Sequence, residues 1–206
     1  MALKLAKQYN NTVEAKTIVD GLPYNDFQSS QLEYFLFQPE AIKFLLEHKK
    51  AIMALPTGSG KTMVAISTFT YIKQQYPNAK CIYVTDKSVV KQTISTICRY
   101  FNLSHEYIYE NSPIDRERLY KSFTKKKDFL CLNYAMLRQD LEDFEEMFDE
   151  LDYDDIVLIL DEANYIAGKD SKLHNIVKGM CKYLTYVISL TATPSKGKLE
   201  EYYNRA

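Results

Sequence analysis

The chain has 206 residues, 46% of them hydrophobic and 26% charged, with a formal net charge of −1. That length suits one sizeable core and is short for two. No apolar run reaches the roughly 18–20 residues needed to cross a bilayer. The first residues, MALKLAKQYNNTVEAK, also lack the long apolar stretch of a secretory signal, so we expect a cytoplasmic protein with no membrane partner.

Residues 1–37 hold the turn signals DGLPYND and QSSQ and read as an N-terminal appendage or covering segment. The main domain, 38–206, opens with QPEAIKFLLEH, a predicted helix with Pro39 in its first turn. Strand-like runs follow at 51–55, 81–85, 106–109, 129–133, 156–160 and 186–190. Most are continuously apolar, as strands covered on both faces are. Amphipathic stretches lie between them, among them KTMVAISTFTYIKQQY, which stops at Pro77, and KSVVKQTISTICRY. The alternation predicts an α/β domain, a mostly parallel sheet with helices on both faces. Such sheets bind ligands beyond the carboxyl ends of their strands.

Two local features qualify the net charge and the cysteines. Asp140–Asp155 holds ten acids and no base, so the rest of the chain keeps 17 acids against 26 bases. A basic remainder suits a polyanionic partner. Within the acidic stretch Leu141, Phe144, Phe148 and Leu151 recur at helical spacing and are expected to face inward. The four cysteines, Cys81, Cys98, Cys131 and Cys181, have no zinc-type spacing and read as reduced thiols.

LPTGSGKT, Leu55 to Thr62, follows a predicted strand and opens a predicted helix. Small residues let the backbone curl so that several N–H groups face one anion, and the helix N-terminus adds its positive dipole end. Lys61 can reach terminal phosphates and Thr62 can ligate Mg²⁺. The usual first glycine of a phosphate loop is Leu55 here. A second buried strand ends in VLILDE. Asp161 is placed to help hold Mg²⁺, and Glu162 to orient or deprotonate an attacking water. A third strand exits through ISLTATP. Taken singly, the last two are ordinary strand exits; their order after the loop makes them informative.

The ordered set resembles the first RecA-like domain of superfamily-2 helicases and translocases, and is most similar to the Swi/Snf-type group. PTGSGKT matches motif I, DEAN motif II and SLTATP motif III; CIYVTDKSVVKQ resembles motif Ia. FLCLNYAML and LFQPEAIKFLL resemble two further family segments, and the likeness runs over about residues 35–204. It implies ATP and Mg²⁺ as cofactors. Thr57, Gly58, Ser59, Gly60, Lys61 and Thr62 would hold the phosphates. Thr62 and Asp161 would serve the metal, and Lys61 and Glu162 the hydrolysis. Gln38 would read the adenine edge. Ser189, Thr191 and Thr193 would couple nucleotide state to nucleic acid. Asn164 stands where relatives carry Asp or His, and could bond Ser189 or Thr191 without pH dependence. Thr85, Lys87, Ser88, Asn133 and Tyr134 would lie towards the nucleic-acid backbone.

The resemblance further implies double-stranded DNA as partner and a second RecA-like lobe, in cis or in trans, bringing an arginine finger. No such lobe fits after Pro194, so the chain is expected to be a fragment or half of a split enzyme, weak in hydrolysis alone. A nucleotide-responsive binding module without catalysis of its own is the alternative.

Overall fold

The computed structural model describes residues 12–14, 25–163 and 172–192. Two short strands, β1 (Thr12–Glu14) and β2 (Glu33–Phe35), pair antiparallel. The main sheet comprises β3 (Lys50–Ala54), β4 (Lys80–Thr85), β5 (His105–Ile108), β6 (Phe129–Asn133), β7 (Ile156–Asp161) and β8 (Tyr186–Thr191). Its spatial order is β3-β8-β7-β4-β6-β5, and every pairing is parallel. Each predicted strand is present with ends within one residue of expectation.

Successive strand residues point to opposite faces, and here each face has its own core. Cys81, Tyr83, Val157 and Ile159 pack with α1 (Gln38–His48), α2 (Lys61–Gln75) and α3 (Val90–Tyr100). Ile82, Val84, Leu158 and Leu160 pack with α4 (Pro113–Lys126), α5 (Tyr134–Gln139), α6 (Leu141–Asp149) and α7 (Lys172–Cys181). β6 and β7 are buried along their whole length, which is why their sequences do not alternate. Cys81 and Cys131 are buried free thiols within these strands.

α2 is buried almost throughout, from Val64 to Lys73. One side meets the sheet and the other meets residues 25–35. Its mid-helix hydroxyls therefore need partners, and that segment supplies them. Tyr34 donates to Ser67 Oγ at 2.7 Å, and Gln28 and Asn25 donate to Thr70 Oγ1 at 3.1 and 3.2 Å. Burial, only partly offset by the Ser67 contact, pushes the Tyr34 phenol above its ordinary pKa.

α4 was not among the elements predicted from the sequence; its last turn and exit carry Lys125, Lys126 and Lys127. Ser112 caps its start, accepting from the Asp115 N–H at 3.3 Å, and Pro113 opens the helix. Arg116 on α4 grips Asp140 with two bonds of 2.7 Å, and Tyr120 adds a third at 2.9 Å. Asp140 lies between α5 and α6, so this buried cluster ties three helices together. In the acidic stretch Phe144 and Phe148 are buried and Leu151 is partly so, as expected; Met147 is buried beside them.

Candidate nucleotide and metal site

Because every strand of the main sheet runs the same way, its carboxyl ends form one rim. Five strands deliver predicted site residues there: Leu55–Thr62 after β3, Thr85 on β4, Asn133 on β6, Asp161 on β7 and Thr191 on β8. The loop is fastened to its neighbour, with the Leu55 N–H donating to Thr191 O at 3.1 Å.

Gly58 and Gly60 carry φ of +78° and +77°, a left-handed backbone that costs any other L-residue about 1–2 kcal/mol. Gly60 is constrained twice, since a Cβ there would sit 2.5 Å from Gln38 Nε2. Gln38 spends both ends of its amide: Nε2 donates to Ser59 O at 2.9 Å, and Oε1 accepts from Phe35 N at 2.9 Å. It thus braces the loop against β2. Ser59 closes the turn, its Oγ donating to Pro56 O at 2.7 Å. Thr57 and Gly58 are exposed at the tip.

Lys61 lies at the first position of α2 and is 9% exposed. Its Nζ donates to Leu55 O at 3.2 Å and Pro56 O at 3.4 Å, and lies 3.8 Å from Glu162 Oε1. Thr62 is half-buried one residue on.

Asp161 ends β7 at 5% exposure. Tyr83 and Thr85 donate to its Oδ2 at 2.9 and 3.3 Å, and the Glu162 N–H donates to Oδ1 at 3.0 Å. Burial pushes this carboxyl above its ordinary pKa and Glu162 adds to the rise, while Tyr83, Lys61 and Thr85 pull it back. The buried acid is therefore short of positive charge. Glu162 follows at φ +52°, an uncommon conformation for a residue with a side chain. Tyr134 helps hold this corner, donating to Asp161 O at 2.7 Å.

The remaining predicted residues are placed as follows. Thr85 and Tyr134 are buried and turn their hydroxyls onto Asp161. Asn133 is 2% exposed; its Oδ1 caps α5, accepting from Ala135 N and Met136 N, while its Nδ2 has no hydrogen-bond partner among the described residues. Lys87 is exposed and pairs with Glu110 at 2.6 Å. Ser88 bonds Asp86 Oδ1 through its N–H at 2.8 Å and its Oγ at 2.6 Å. Ser189 is half-buried on β8 and Thr191 fully buried. Asn164 and Thr193 lie outside the described residues.

Sequence reasoning missed Tyr83, which sat unnoticed inside an apolar strand. Burial and the Asp161 carboxylate push its phenol well above its ordinary pKa, and Thr62 pulls it back. Only the parallel register, which sets Val84 beside Leu160, brings a mid-strand phenol within reach of a carboxylate one residue further along β7.

These groups fit a Mg²⁺–nucleoside triphosphate on chemical grounds. A curled loop with two left-handed glycines ends at a helix N-terminus, which favours an anion. Lys61 is held there by neutral carbonyls and by a longer contact to one acid. Thr62 and Asp161 offer oxygen donors alone, the kind a hard divalent cation takes.

Residues 25–196 match the family described as type III restriction enzyme, res subunit. The chain belongs to that family, and its fold is the first RecA-like lobe of a superfamily-2 helicase-type motor domain. Among curated proteins, the DNA 3′-5′ translocase XPB2 of Sulfurisphaera tokodaii is 36% identical over 58 residues, 28% of this chain and 13% of that protein. The SWI2/SNF2 ATPase core of Sulfolobus solfataricus, solved in complex with dsDNA, superposes with TM-score 0.66 at 20% identity, over 82% of this chain and 34% of that one. The Hef helicase domain of Pyrococcus furiosus gives 0.64 at 22% identity, over 82% and 34%. The UvsW helicase of bacteriophage T4 gives 0.65 at 13% identity, over 100% and 65%. The chain thus spans about a third of the first two structures. Among the described residues, no helix is long and apolar enough to cross a membrane.

Proposed function

We propose that this chain is the ATP-binding lobe of a DNA translocase or helicase, which hydrolyses ATP when joined to a second RecA-like lobe. One observation carries the reading: the parallel sheet brings the glycine loop, Lys61, Thr62, Asp161 and Glu162 to a single rim. In this reading residues 38–206 form the lobe, and the segment before them is a covering layer on α2.

ATP phosphates would lie in the loop of Thr57–Thr62, and Mg²⁺ would be held by Thr62 and Asp161. An incoming phosphate competes for Lys61 with two carbonyls and Glu162. Winning that competition frees Glu162 to orient water on the γ-phosphate. The metal, when bound, neutralises phosphate charge; the chain's own groups position it and the water. Gln38 reads a base edge only by exchanging its Ser59 or Phe35 partner, so its first role is to set the loop. Ser189, Thr191 and Thr193, with Asn164, couple this site to duplex DNA, which passes the exposed Lys87 and Ser88; Thr85, Asn133 and Tyr134 are buried beneath that surface and support it from within. The basic remainder of the chain supports a polyanion on this side.

The test is ATP hydrolysis by the chain together with a second RecA-like lobe, with and without duplex DNA. We expect DNA to raise the rate, and Glu162→Gln to abolish hydrolysis while ATP still binds. Unstimulated rates with every DNA and RNA tried would remove the nucleic-acid part. Absent hydrolysis, despite ATP binding, would leave a nucleotide-responsive module.

A further inference from the structure

The Tyr83 hydroxyl is a polar group at the rim that the reading above leaves unused. The residue is fully buried on β4, and its ring stacks near Phe129 with centroids 5.7 Å apart. A phenylalanine would serve that packing equally. The hydroxyl instead reaches Asp161 Oδ2 at 2.9 Å. Thr85, two residues along the same strand face, donates to the same oxygen, and the Glu162 N–H holds the other. Three donors on two oxygens fix the rotation of a carboxylate that is almost out of solvent.

We propose that Tyr83 is a positioning residue for the divalent cation, fixing the Asp161 carboxylate in the orientation the metal requires. This rests on the reading of Thr62 and Asp161 as the metal's oxygen donors. Asp161 Oδ2 accepts the phenol proton, so the oxygen left to face a cation is fixed by the bond to Tyr83. Removing the phenol leaves Asp161 with one fewer donor. Outer partners of this kind are typically worth about 10–100-fold in metal affinity.

The experiment is binding of a fluorescent ATP analogue to the chain, first in EDTA and then across a Mg²⁺ titration. Tyr83→Phe is expected to leave metal-free affinity within about twofold of wild type and to weaken Mg²⁺ binding to the nucleotide complex by about 10–100-fold. A purely structural role would move both affinities together, and that result would overturn the proposal. Asp161→Asn is the companion variant. If it loses the Mg²⁺ response while Tyr83→Phe keeps it, Tyr83 has no positioning role and the metal reading stands. If Asp161→Asn keeps it too, the metal reading falls and this inference falls with it. Should Tyr83→Phe not fold, the wild-type Tyr83 hydroxyl proton is followed by NMR. We expect a slowly exchanging signal that shifts when Mg²⁺ joins bound nucleotide; an unmoved signal would contradict the proposal.

Discussion

The α4–α6 flank and the carboxyl rim both bury charge, and they do so in opposite ways. On the flank, Asp140 receives two bonds from Arg116 and one from Tyr120, and the ion pair is closed. At the rim, Asp161 is equally buried, but its side-chain partners among the described residues are neutral hydroxyls, and the nearby cation Lys61 bonds carbonyls instead. The flank also keeps ordinary backbone, whereas Gly58, Gly60 and Glu162 at the rim are all left-handed. A paired buried charge holds structure together. A buried acid short of countercharge, beside a strained loop, marks a place prepared for something else.

Breaking the flank should cost the most stability. Asp140→Ala strands Arg116 in the core, and loss of one partner of a buried pair costs about 3–5 kcal/mol. Chemical denaturation should show that loss, while any folded fraction still binds ATP. Lys61→Ala inverts the pattern. It removes a charge-assisted contact to phosphate, about 1.5–3 kcal/mol of binding, and should leave the unfolding midpoint nearly unchanged. Gly60→Ala sharpens the contrast within the rim. The φ of +77° and the clash with Gln38 predict a stability loss of about 1–2 kcal/mol from backbone strain, together with weaker ATP binding.

The smallest effect concerns acid stability. Asp128 pairs with Lys73 at 2.8 Å beneath the amino ends of the strands. Burial pushes its carboxyl up, but Lys73 and Ser104 outweigh that and hold it below the ordinary value. A depressed folded pKa means stability that is present above the unfolded value, about 3.9, and lost as pH falls through the folded one. Asp128→Asn should therefore flatten the decline in stability below about pH 4, and leave the pH dependence of ATP binding unaltered.

The two regions also differed in how far sequence could reach them. The rim was legible because its residues sit at strand ends and loop starts, where local signals are strong: TGSGKT opens a helix, and DE closes an apolar strand. The flank was opaque because Arg116 and Asp140 stand 24 residues apart, and neither position carries a local signature. α4 was not among the predicted elements, although Ser112, Pro113 and Asp115 form a recognisable helix start. Tyr83 lay hidden for a different reason. In CIYVT it looks like any core aromatic, and its hydroxyl gains meaning only from the register of β4 on β7. Gln38 was placed near the nucleotide by resemblance, yet its brace between Phe35 and Ser59 is purely three-dimensional.

The central claim is that the rim takes ATP and Mg²⁺ together. Calorimetric titration of ATP into the wild-type chain, Lys61→Ala and Asp161→Asn, each with Mg²⁺ and with EDTA, tests it most directly. The account predicts binding in the wild type that Mg²⁺ tightens, binding about 10–150-fold weaker in Lys61→Ala, and metal-independent binding in Asp161→Asn. Equal affinities in all three proteins, with and without the metal, would contradict it.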